Sequence, residues 1–175
     1  MKKILFLATL AITFFTSCSN YDVDVAIDNP TQEDIIVKID TLAVEVPARQ
    51  VVWVEMGKGQ RTITLPDGEE MTENFSESVY MLNPTRAEYL LTEEYYGPPA
   101  MEESYPNVLP NKEISIMGMP LEGNFDKIDA VVNKVRWDYG PRESTPNMIE
   151  TDGTYEVMLK LYDMQELMES LGTGE

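Results

Sequence analysis

The chain has 175 residues and a formal net charge of −18, with 31 acidic residues against 13 basic ones. A surface of that sign repels phosphate backbones and sets nucleic acid aside as a partner. Histidine is absent and cysteine occurs once, which leaves no material for a His/Cys metal centre, an imidazole base or a disulfide, so no metal and no cofactor is expected.

The single cysteine, Cys18, closes the first segment, "MKKILFLATLAITFFTSC". Lys2 and Lys3 form a cationic start, Ile4 to Phe15 an apolar run, and Thr16 and Ser17 a pair of small residues, the layout of a secretory signal. A dozen helical residues reach about 18 Å, short of the roughly 30 Å hydrocarbon core, so a permanent transmembrane helix does not fit. The junction resembles the lipobox of bacterial lipoproteins, in which an aliphatic residue, a small residue and Gly/Ala/Ser precede the cysteine. Thr16, Ser17 and Cys18 match it, and Phe15 stands where leucine is usual. The resemblance implies removal of residues 1–17 as a lipoprotein signal peptide and lipidation of Cys18. It also implies a lipid-anchored place in the bacterial cell envelope, at the outer membrane. A second or third acyl chain makes such an anchor effectively permanent, because each buried methylene contributes about 0.8 kcal/mol. The leader holds two of the basic residues and none of the acidic ones, so the mature chain carries −20. Anionic headgroups repel it, and the acyl chains must hold the membrane unaided.

From Tyr21 the pattern has period two, with Tyr21, Val23, Val25 and Ile27 on one face and Asp22, Asp24, Ala26 and Asp28 on the other, which predicts a half-buried strand. "DNPTQED" reads as a turn. Ile35, Val37 and Ile39, then Leu42, Val44 and Val46, then Val52, Val54 and Met56 continue the alternation. "GKGQ" reads as a hairpin turn into "RTITL", and "PDGEE" ends that strand. Short strands at this spacing predict a mainly β fold, an antiparallel β-sandwich or open barrel. The stretch "VPARQVVWVEMGKGQRTITLPDGE" resembles PEGA-like β domains of bacterial surface proteins. That resemblance, over residues 21–70, implies a surface scaffold and assigns no site residue.

"SVYMLNP", "AEYLLTEEYYG", "EISIMGM" and "GTYEVMLKLY" read as further strands, and "KIDAVVNKVRWDYG" fits strand or helix. Four prolines and a glycine make residues 97–113 a long loop within residues 18–175, one that could divide two subdomains. A short C-terminal helix follows, with Asp163 as N-cap, Glu166 three residues on, Met164, Leu167, Met168 and Leu171 as one face, and Gly172 as its stop.

For chemistry, the acidic pairs Glu69/Glu70, Glu93/Glu94 and Glu102/Glu103 invite a calcium or glycosidase reading. Neighbours on a strand face opposite ways, however, and Asp22, Asp24 and Asp28 read as solvated carboxylates. No catalytic residue is assigned. Tyr95, Tyr96, Tyr105 and Trp137 are the candidate binding residues, since aromatic faces beside polar groups suit sugar stacking or protein contact. Core and edge packing, routine for tyrosines in β-sandwiches, is the favoured reading of the tyrosines. The expectation is a membrane-anchored envelope lipoprotein displaying a non-catalytic structural or binding domain. A glycan- or peptide-binding accessory is the alternative, and a carboxylate-dependent hydrolase a more distant one.

Overall fold

The structure, a computed structural model, describes residues 23–102, 105–116 and 118–172. Cys18 and the leader lie outside the described residues. The alternating runs form β1 (Val23–Asn29), β2 (Ile35–Ile39), β3 (Leu42–Val46), β4 (Gln50–Met56), β5 (Gly59–Thr64), β6 (Glu70–Phe75) and β7 (Val79–Leu82). Two sheets result. One is ordered β11-β7-β1-β4, its edge being the two-residue β11 (Val132–Asn133), and the other β3-β2-β5-β6. The chain passes from sheet to sheet after β1, β3, β4 and β6, so inward side chains of both meet in one core around Val25, Ile27, Val37, Ile63, Phe75 and Tyr80. Tyr80 meets Phe75 edge-on at 4.7 Å, and its hydroxyl accepts the Ser76 and Glu77 N–H groups at 2.8 and 3.0 Å. β1 and β7 pair in parallel, which the long connection of residues 30–78, passing twice through the other sheet, permits.

A third sheet, ordered β12-β8-β10-β9, is built from β8 (Tyr89–Tyr96), β9 (Asn111–Ile116), β10 (Met119–Ile128) and β12 (Glu156–Asp163). It covers the outer face of the first sheet through Met81, Tyr89, Leu91, Ile128, Val135 and Leu161. Its far face is covered by α2 (Met164–Gly172) through Leu90, Ile116 and Leu167. The fold is thus mainly β and sandwich-like with a short C-terminal helix, as expected, and the sheet holding β1 is the middle layer.

That position corrects the expected half-burial of β1. Asp24 is exposed, but Ala26 and Asp28 on the same face are buried, because the third sheet lies over them. The "GKGQ" turn is also corrected. β4 and β5 do not pair; they lie in different sheets, and the chain crosses the sandwich at Gly57 and Lys58. Glu70–Phe75 and Met119–Ile128 are strands that polar composition conceals, each held by a hairpin partner. The ambiguous stretch at 127–140 holds no helix; β10 ends in it, β11 follows, and the rest is irregular apart from a bridge between Tyr139 and Lys160. The expected loop at 97–113 is shorter: β9 begins at Asn111, and the chain from β8 reaches it in the same sheet by way of a four-residue helix, α1 (Pro99–Glu102).

One turn is used twice. Asn-Pro-Thr follows β1 at residues 29–31 and β7 at residues 83–85. Both asparagines are fully buried. The Asn29 amide donates to the Glu33, Val46 and Pro47 carbonyls, and that of Asn83 to the Ala87 carbonyl at 2.7 Å. Each amide oxygen in turn accepts the following threonine hydroxyl. The buried polar side chain replaces ladder bonds that the proline cannot supply.

Candidate functional site

On β4, Val52, Val54 and Met56 face the first core, so Trp53 faces outward beside the third sheet, 54% exposed. Trp137 lies on the irregular segment after β11 and packs against the second core. The two ring centroids are 6.0 Å apart with planes at 39°. Asp24, Ser78, Val79, Arg136, Asp138 and Leu159 complete a cleft of about 470 Å³ around them. That volume falls within the roughly 300–1,000 Å³ of small-ligand sites, which favour seams between packed units.

The cleft is held by backbone bonds on both sides. The Asp24 N–H donates to the Ser78 carbonyl at 2.8 Å, and the Asp138 N–H to the Leu159 carbonyl at 2.8 Å. The Asp138 carboxylate accepts the Leu159 N–H at 2.7 Å, and the Arg136 guanidinium donates to the Ser78 hydroxyl at 2.8 Å. The result is an apolar indole surface rimmed by two carboxylates, a guanidinium and a hydroxyl.

Of the expected binding residues, only Trp137 is here. Tyr95 and Tyr105 stack on each other at 4.9 Å, with Tyr155 as a third ring 5.9 Å from Tyr95. The Tyr95 hydroxyl donates to the Pro98 carbonyl at 3.0 Å, and that of Tyr105 to Glu93 at 3.3 Å. Burial, with Glu93 beside it, raises the Tyr105 phenol above its ordinary value. Tyr96 points to the other face of β8 and is buried. The structure therefore separates the four residues into a half-buried tyrosine cluster, a core tyrosine and a cleft tryptophan. Trp53 and Tyr155 join them without having been singled out by the sequence. For Trp53 the available signal is an indole at the outward position of an alternating strand.

A second constellation is buried between the halves. Asp28 and Asp163, both 1% exposed, share the Arg142 guanidinium, which forks onto both Asp28 oxygens and reaches Asp163 at 2.5 Å. The Tyr89 hydroxyl donates to Asp28 at 2.6 Å, and Arg49 pairs with Asp163 at 3.1 Å. The buried Lys160 ammonium donates to the Gly140 carbonyl at 2.6 Å and pairs with Glu166 at 2.7 Å. Three cations thus meet three carboxylates. Burial raises the Asp28 carboxyl against the pull of Arg142 and Tyr89. Burial would raise Asp163 too, but the Glu166 N–H, Arg142 and Arg49 together bring it below its ordinary value. Arg49 and Arg142 both have positive φ, 59° and 66°, a strained conformation for a side-chain-bearing residue that the ion pairs hold in place. Every oxygen of the two inward carboxylates is engaged, so the cluster ties β1, β8, β12 and α2 together.

The chain has no significant match among family models, curated proteins or solved structures.

Among the described residues no group of three or more acidic or Cys/His side chains converges to hold a metal ion, and no helix is long and apolar enough to cross a membrane.

Proposed function

We propose that this protein is a lipid-anchored lipoprotein of the bacterial cell envelope, at the outer membrane, whose β domain is a non-catalytic binding module with the Trp53–Trp137 cleft as its working face. The observation that carries the binding half is the exposed indole of Trp53 paired with Trp137 over a polar-rimmed cleft. An outward-facing tryptophan contributes nothing to a core, and such side chains are the usual anchors of recognition. The anchoring half rests on the tripartite leader and the "TSC" junction. A hydrolase would draw on paired carboxylates, and the inward pair Asp28 and Asp163 is shut away and saturated by cations and hydrogen bonds.

Cell fractionation tests the anchor. The wild-type chain is expected in the membrane fraction, and a Cys18→Ser chain of unchanged far-ultraviolet dichroism outside it. Equal partition of the two chains into the membrane contradicts the proposal.

A further inference from the structure

We propose that the Trp53–Trp137 cleft binds a neutral saccharide presented close to the membrane surface; this rests on the reading of the cleft as the binding face. The lining decides the chemistry. Asp24 and Asp138 accept, while Arg136 and Ser78 donate, so the rim has both polarities, and its two carboxylates against one guanidinium disfavour an anion. A hydroxyl group does both at once, and a pyranose ring combines several of them with a flat C–H face that stacks on an indole. The Asp24 carboxylate makes no hydrogen bond or ion pair among the described residues and is exposed, so it is free to accept from a ligand. A peptide could also add to β4, the edge strand that carries Trp53, so the titration includes peptide as a competing outcome.

Chain length sets the place. Asp24 is six residues beyond Cys18, so its Cα lies no more than roughly 22 Å from that of the anchored residue. An anchored cleft therefore stays near the headgroups, where both glycolipid and short envelope saccharides are within reach.

The tryptophan content makes the test direct. The chain has two tryptophans, and both stand in this cleft, so its indole emission reports on the site alone. The full chain, purified in a non-glycosidic detergent from whichever fraction contains it, is titrated with neutral gluco-, manno- and galacto-oligosaccharides. Parallel titrations use an oligogalacturonate, a mixed peptide pool, and phosphatidylcholine vesicles with and without a neutral galactolipid. The expected result is a saturable emission change with a neutral oligosaccharide or the galactolipid vesicles, weakened about tenfold or more in Trp53→Ala. Which of the two responds identifies the source. Trp53 is exposed, so the substitution spares the core, and matched dichroism verifies the fold. A response to peptide or oligogalacturonate alone overturns the saccharide but leaves a binding cleft. Silence with every probe, or full affinity in Trp53→Ala, overturns both. Fractionation of Cys18→Ser is unaffected by any of these outcomes, so the anchor stands or falls separately.

Discussion

Asp163 does two jobs with one carboxylate. One oxygen caps α2 by accepting the Glu166 N–H at 2.9 Å, and the other receives Arg142 and Arg49. Asp163→Asn keeps a capping oxygen and removes the charge, leaving two arginines short of an anion in a buried setting. We expect a loss of roughly 3 kcal/mol at neutral pH, as for other broken buried pairs. The pH dependence has a definite sign. Folding lowers the Asp163 pKa below its ordinary 3.8, so its stabilisation is complete above that value and disappears as the pH falls through the folded pKa. Asp28 has the opposite sign: its raised pKa makes its contribution fade as the pH rises. Denaturant melts of wild type and Asp163→Asn should therefore differ by a constant amount above about pH 5 and converge below pH 4. A gap that persists undiminished to pH 2 would contradict the charge pairing. The cap was legible in the sequence, but the ion pairing was not. Asp28 reads as a solvated carboxylate until the third sheet is known to cover it.

Among the elements, the alternating strands β1 to β5 and the C-terminal helix could be read directly, because side-chain period and capping chemistry are local. The Asp163 cap is where the sequence placed it. The apolar face of α2 is narrower than its spacing suggests: Met164 and Leu167 pack, whereas Met168 is 45% exposed. The helix lies across one face of the third sheet, and Met168 is on its outer side. β6 and β10 were concealed because their partners, not their composition, stabilise them. The cleft was concealed for the same reason. Trp53 and Trp137 are far apart in sequence and meet only because the third sheet closes on the first. Close approach also explains Gly97 after β8. A Cβ there would fall 2.8 Å from both Tyr155 Cβ and the Tyr95 hydroxyl and 3.1 Å from Tyr155 Cα, so the tyrosine cluster requires glycine. Gly97→Ala should cost about 1–3 kcal/mol in a denaturant melt. An unchanged midpoint would show that the cluster yields freely.

In the whole molecule the middle sheet belongs to both cores. Val25 and Ile27 of β1 face one, and Met81 of the neighbouring β7 faces the other. Neither half can lose its packing without exposing a face of this sheet, and the Asp28–Arg142–Asp163 cluster ties the halves a second time. Unfolding followed by tryptophan emission, which reports on the seam, should coincide with that followed by far-ultraviolet dichroism, which reports on all three sheets. Two separated transitions would contradict a shared middle layer. The acidic surface repels anionic headgroups, so the proposed attachment would depend on Cys18 alone. The intact mass of protein extracted from membranes decides whether Cys18 holds this domain at the envelope membrane as proposed. The expected species is a chain beginning at Cys18 whose mass exceeds that of residues 18–175 by a diacylglyceryl group and an N-terminal acyl chain. A mass equal to an unmodified chain, whether or not residues 1–17 are present, would contradict it.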